Sequence, residues 1–116
     1  MNNNLGQLFS IISKKNSNRK ALIFSDKEKI SFKDLNILSN QIADYLLAIY
    51  KLKPGDILLL INEKNIYGFA IMIACLKIGV GYCNFDPESP IARIKKINKK
   101  ISPKLVYSNI KNINKI

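Results

Sequence analysis

The chain contains no histidine. That excludes every Ser-His-Asp or Cys-His nucleophilic arrangement within these residues. Cysteine is nearly absent too. Cys75 and Cys83 lie eight apart with no CxxC spacing, too few thiols for a structural zinc site. Both read as small buried apolar side chains. Two thiols without a recognisable signal peptide point to a reducing compartment, the cytoplasm. Arginine is scarce as well: Arg19 and Arg93 are the only two, and every other basic residue is lysine. Long hydrophobic runs are also missing. The most apolar stretch, 66–78, would span about 20 Å as a helix, against a hydrocarbon core of about 30 Å. It reads as a buried helix, and no membrane partner is expected. Gly and Pro contents are ordinary and no segment is of low complexity.

What is abundant is lysine. Nineteen basic residues against eight acidic ones leave a net charge of +11 over 116 residues. Such a charge raises nucleic acid as a partner. The scarcity of arginine, the better bidentate ligand for phosphate and guanine, argues against it. So does the lack of aromatic side chains among the lysines, where bases would stack. Membrane-surface binding would need large apolar side chains exposed beside the lysines. With 47% hydrophobic residues the chain has enough apolar material for one core.

The pattern of residues orders the chain. Asn4 can cap a helix over Leu5–Lys14, with Leu5, Leu8, Phe9 and Ile12 on one face. Ala21–Phe24 and Lys29–Phe32 flank a Ser-Asp turn and form a hairpin. Ser31 with Asp34 resembles a capping box and opens a helix to about Tyr50, with Leu35, Leu38, Ile42, Tyr45, Leu46 and Ile49 as its apolar stripe. Pro54-Gly55 marks a turn. Ile57–Ile61 is apolar without alternation, as suits a strand covered on both faces. Asn62 is expected to cap a helix over Glu63–Ile78, which Gly79 ends. Gly81–Phe85 reads as a strand. Ser89-Pro90 reads as N-cap and first helical residue of a helix to Ile101 with Ile91, Ile94, Ile97 and Ile101 inward. Leu105–Tyr107 is a third strand, and Asn109–Ile116 resembles the start of another helix. The expected fold is α/β: an N-terminal helix and small hairpin, then a βαβαβ parallel-sheet unit.

Candidate chemistry is thin. Gly79-Val80-Gly81 has Asn84 where a GxGxxG loop needs its third glycine, and it precedes a strand instead of following one. No GxxxxGK[ST] loop exists. Asp86 and Glu88 sit just past a parallel strand, on the edge where open α/β sheets bind ligands. Asp-Pro before Ser-Pro is also ordinary turn chemistry. The lysines of 93–100 form the outer face of an amphipathic helix.

At this point the motifs resemble a known family. Ile30-Ser31-Phe32-Lys33-Asp34-Leu35-Asn36 is similar to the first core motif of amino-acid adenylation domains, and Leu38-Ser39-Asn40-Gln41-Ile42-Ala43 continues in the same manner. Leu52-Lys53-Pro54-Gly55-Asp56 resembles the turn before the family's first parallel strand. Leu76–Tyr82 followed by Asn84-Phe85-Asp86-Pro87 resembles the second core motif. Glu88–Ile94 and Ser102–Val106 follow in the family's order. Ile78 and Gly81 depart from the small residues usual there, and Cys83-Asn84 is more polar than the family's run. The spacing Asp86, Pro87, Pro90, Arg93 is closer to amino-acid adenylation, as in nonribosomal peptide synthetases and D-alanine–carrier protein ligases, than to fatty-acyl activation.

The resemblance implies that residues 1–116 are the N-terminal portion of an AMP-binding (adenylation) domain. It implies ATP and Mg²⁺ for the whole family domain, and the rest of that domain and a carrier protein as partners. The family's phosphate loop, adenine contacts, substrate pocket and C-terminal lysine have no matching positions here. No catalytic, cofactor-binding or metal-binding residue is therefore assigned. The chain by itself is expected to be inactive. A non-catalytic interaction module, or the first piece of a split adenylating enzyme, is the alternative.

Overall fold

A computed structural model describes residues 4–108. The expected helix start at Asn109–Ile116 lies outside the described residues. Helix α1 covers Leu5–Lys15, followed by β1 Lys20–Ile23 and β2 Lys29–Ser31. Helix α2 is Phe32–Ala48, β3 Ile57–Ile61, α3 Ile66–Ile78, β4 Gly81–Phe85, α4 Ile91–Ile101 and β5 Leu105–Ser108. β1 and β2 form an antiparallel ribbon, and the other strands form a parallel sheet in the order β4-β3-β5. Leu59 of β3 is in register with Cys83 on one side and Val106 on the other. The α/β class, the hairpin and the βαβαβ unit all stand as expected.

The unbroken apolar run of β3 is explained by its place at the centre of the sheet. Successive strand residues point to opposite faces. Leu58 and Leu60 face α2 and α3, joined by Ala43, Leu46, Ile71 and Ala74. Leu59 and Ile61 face the other way and pack with Phe85 and Ile94. So α3 and α4 cover opposite faces, as right-handed crossovers to strands on opposite sides of β3 require.

Capping sets most boundaries. The Asn4 side chain accepts from the Gln7 amide at 2.7 Å, and Ser31 Oγ accepts from the Asp34 amide at 3.1 Å. α3 starts later than expected. Asn62 still belongs to the sheet edge, its amide donating to Phe85 O, and Asn65 caps instead, Oδ1 accepting from Gly68 N at 2.8 Å. At α4 the cap position is Pro90, in extended conformation without a side-chain bond, and Ile91 is the first helical residue. The Ser89 amide is spent on Asp86 O, closing the turn before the helix.

Two apolar faces depart from expectation. Tyr45 of α2 and Ile49 just past its end are exposed, while Ser39 and Ala43 are buried beside Leu35 and Leu46. On α1, Leu5, Leu8 and Ile12 point to solvent, whereas Gly6 and Ser13 are buried. The reason is a close helix crossing. A Cβ placed on Gly6 would lie 2.5 Å from Lys77 Cα, so the backbone of α1 rests directly on α3. The helix turns its small residues inward to reach that contact. Ile91 is similarly exposed at the start of α4, leaving Ile94 as that helix's buried anchor.

Candidate functional site

The β3–α3 and β4–α4 loops leave the carboxyl edge of the sheet toward opposite faces. That makes the gap between them a topological switch point, the usual crevice for ligands in open α/β sheets. A polar cleft of about 460 Å³ lies there, lined by Asn62, Glu63, Lys64, Asn84, Asp86 and Glu88 among others. Sequence reasoning singled out Asp86 and Glu88, and the structure does bring them to this edge. Asp86 Oδ1 accepts from the Glu88 amide at 2.8 Å, and its carbonyl accepts from Ser89 N at 2.9 Å. Asp86 thus builds the turn that launches α4. Among the described residues no three His, Cys, Asp or Glu side chains come together as a metal site.

Asn62 is a residue that sequence reasoning took for a helix cap. It is almost fully buried; its Nδ2 donates to Asn65 Oδ1 at 3.1 Å, and its Oδ1 has no partner. A polar residue directly after a fully buried strand was the available signal. A buried carbonyl oxygen without a donor is costly, so the Asn62 Oδ1 stands out in the β3–α3 loop.

The Gly79-Val80-Gly81 segment cradles no phosphate. Gly79 takes a left-handed conformation, φ 74°, that ends α3. The Gly79 and Val80 amides both go to Cys75 O, and the Gly81 amide goes to Asp56 O at 2.8 Å. These donors are consumed by the fold, so none is presented as an anion-binding loop requires.

Lys77 is the one lysine of α3, and three neutral side chains hold its ammonium: Asn36 Oδ1 at 2.7 Å, Ser39 Oγ at 2.9 Å and Asn40 Oδ1 at 2.7 Å. The Phe9 ring of α1 lies beneath it, with its centroid 5.6 Å from Nζ. Partial burial lowers the Lys77 pKa from the usual lysine value. The group links α1, α2 and α3 and faces no reacting partner. Cys75 beside it in the chain is fully buried, and desolvation raises its thiol to about 11. It stays a protonated apolar filler at neutral pH.

The outer face of α4 exposes Arg93, Lys95, Lys96, Lys99 and Lys100. On the opposite side of the sheet an apolar groove of about 290 Å³ opens between the end of α2, α3 and β5. No helix among the described residues is long and apolar enough to cross a membrane.

Comparison with known proteins places this geometry. Residues 9–116 match the family model of the AMP-binding enzymes. Bacitracin synthase 3 of Bacillus licheniformis is 36% identical over 94 residues, which cover 81% of this chain and 1% of that protein. The N-terminal subdomain of Klebsiella oxytoca NpsA superposes with a TM-score of 0.84 at 26% identity, over 91% of this chain and 27% of that one. An artificially fused adenylation–PCP di-domain, NpsA–ThdA from the same organism, superposes at 0.85 and 26% identity, covering 94% of this chain and 20% of the fusion. The chain thus spans a small fraction of the proteins it matches. Among the described residues it carries a parallel three-stranded sheet in the order β4-β3-β5. The chain belongs to the AMP-binding enzyme family, and it corresponds to the N-terminal segment of the adenylation domain found in nonribosomal peptide synthetases.

Proposed function

We propose that this chain supplies the first structural layer of an acyl-adenylate-forming ligase. In the parent reaction a carboxylate oxygen attacks the α-phosphorus of ATP. The bond to the β-phosphate bridging oxygen breaks and pyrophosphate leaves. A carrier thiol then attacks the acyl carbonyl, and AMP departs. This segment contributes position, not chemistry: its strands and helices set the frame on which later segments are mounted. ATP and Mg²⁺ belong to those later segments. Phosphoryl transfer needs preorganised donors and a metal around developing charge, and the glycine amides here are bonded within the fold. The setting is cytoplasmic, where the two thiols stay reduced.

The observation that carries this reading is the family match over residues 9–116 together with the superposition on an N-terminal adenylation subdomain. ATP–pyrophosphate exchange tests it. The 116-residue chain, supplied with each amino acid in turn, should give no exchange above background. A gene product that includes the remainder of the domain should exchange with at least one carboxylic substrate. Exchange by the short chain alone would overturn the assignment of a purely structural role.

A second reading has its own motive. The sheet order leaves β4 and β5 at the edges among the described residues, and such edges call for cover. If the remainder of the domain is a separate polypeptide, the chain is the first piece of a split enzyme. Co-purification of a polypeptide carrying the rest of an AMP-binding domain supports that form, and recovery of one continuous chain defeats it.

A further inference from the structure

Ser13 is buried near the end of α1, 2% exposed, and its hydroxyl has no hydrogen-bond partner. A buried donor left without an acceptor destabilises the fold. Ser13 lines a cleft of about 360 Å³ between the end of α1 and the start of α2, with Lys14, Ser17, Lys33, Asn36 and Ile37. No carboxylate lines it, in contrast to the cleft at the carboxyl edge of the sheet, where Glu63, Asp86 and Glu88 lie. The polar side chains here are two lysines, two hydroxyls and one carboxamide, and all of them can donate. The carboxamide is oriented by its neighbours. Asn36 Oδ1 accepts from Ser10 Oγ at 3.2 Å and from Lys77 Nζ at 2.7 Å, which leaves Nδ2 as the end able to meet a ligand.

The walls of the cleft are fixed by the fold. The Ser10–Asn36 bond ties α1 to α2 at one end, and the Lys33 amide donates to Ser17 O at 3.1 Å at the other. The Phe9 and Phe32 rings pack between the same two helices, 6.1 Å apart. The first amides of α2 are spent on Arg19 O, Ser17 O and Ser31 Oγ, so a ligand here is held by side chains. The lysines of α4 spread over the outer face of one helix, whereas Lys14 and Lys33 come from two helices to one cleft.

We propose that this cleft binds a phosphate group, either as the free ion or at the end of a small molecule. Two cations match its double charge, and the hydroxyls and the Asn36 amide match its several acceptor oxygens. Lysine serves phosphate as a point charge and needs no bidentate geometry. A lone carboxylate, with one charge and two oxygens, would leave part of this donor set unused. Ile37, partly exposed at the cleft, offers an apolar wall to an organic substituent. The proposal stands apart from the functional reading above, since it calls on no step of adenylation.

Isothermal titration calorimetry of the natural gene product tests this, at constant ionic strength with chloride as the balancing anion. Inorganic phosphate and glycerol 3-phosphate are the probes. Saturable binding of at least one is expected. Lys33→Gln should weaken it about tenfold or more and Ser13→Ala about threefold or more. Lys95→Gln, on the outer face of α4, should leave it within about twofold. Equal affinity for both probes identifies the free ion as sufficient; preference for the ester identifies an organic phosphate. No saturation by either probe at about 10 mM overturns the proposal. So does unchanged binding in Lys33→Gln or Ser13→Ala, or an equal loss in Lys95→Gln, which would mark diffuse attraction to a basic surface. Binding of nucleic acid with neither probe bound also overturns it. Thermal melts give a second readout. Without probe, Ser13→Ala should be at least as stable as the parent, because the hydroxyl it removes is unpaired. With saturating probe the parent should gain more in Tm than the variant. An equal deficit in Ser13→Ala with and without probe would make Ser13 purely structural and overturn its part in the site. Lys33 is exposed, so Lys33→Gln keeps the test open if Ser13→Ala fails to fold.

Discussion

Gly6 meets the backbone of Lys77 so closely that a single added carbon on Gly6 would lie 2.5 Å from both the Lys77 Cα and its amide nitrogen. This contact orients α1. It turns Gly6 and Ser13 inward and leaves Leu5 and Leu8 in solvent, against the hydrophobic pattern of the helix. Gly6→Val should therefore destabilise the chain by about 1–3 kcal/mol through overpacking. Leu8→Ala, on the exposed side, should change stability by about 0.5 kcal/mol or less. Urea titration reads both. Equal costs would mean that α1 does not sit on α3 through Gly6.

Lys77 should resist replacement by an apolar residue of similar length. Lys77→Met removes the shared donor of Asn36, Ser39 and Asn40. Loss of a partner for part-buried polar groups costs about 1–3 kcal/mol. The pH dependence has a definite sign. Burial lowers the folded-state pKa below 10.5, so between that lowered value and 10.5 the unfolded chain binds more protons than the folded one. The Lys77 contribution to stability then rises with pH across this window and is flat below it. Comparing the parent and Lys77→Met by urea titration at neutral and alkaline pH checks the sign. A fall in their difference across the window would contradict it.

Ile94 is the main anchor of α4 on its face of the sheet, 1% exposed against 40% for Ile91. Ile94→Ala should cost about 2–5 kcal/mol. Ile91→Ala should cost clearly less, because that side chain already meets water. Both lie on one helix three residues apart, so the contrast isolates burial from helix propensity.

Gly79 holds φ 74° where α3 turns into β4. A side chain there would meet Pro54 only at ordinary contact distance, 3.5 Å, so backbone strain dominates. Gly79→Ala should cost about 1–2 kcal/mol. Gly81→Ala, in extended backbone on the exposed edge strand, should cost less. Thermal melts of the two variants test the assignment.

Asp86 offers a test on activity. Its carboxylate is engaged with the Glu88 amide and builds a turn. In an exchange-active gene product, Asp86→Asn should keep the rate within a few-fold of the parent. A loss of about a hundredfold or more, the scale for removal of a general acid or base, would place Asp86 in the reaction.

Most of the element order was legible because it rests on local chemistry. Asn4, Ser31 and Gly79 act on amides and carbonyls within a few residues, so their roles are written in adjacent positions. The start of α3 was misplaced because Asn62 and Asn65 are both capable caps. Only the pairing of the Asn62 amide with Phe85 O, across to β4, decides between them. The candidate edge was legible through the position of Asp86 and Glu88 after a strand. The unpaired oxygen of Asn62 and the clasp around Lys77 were not, since each depends on groups brought from distant parts of the chain.

The sequence by itself determined the alternation of strand and helix from Ile57 onward, the two-sided burial of β3 and the family motifs. Periodicity, caps and turn residues act over one or two turns of chain and need no partner. Tertiary structure alone decided which faces became interior. A helical stripe says that one side is apolar, not what lies opposite it. On α1 a glycine backbone contact outranked the leucines, and at the end of α2 Tyr45 stayed at the rim of an open groove. Burial is a property of two surfaces meeting, and the second surface is never written beside the first.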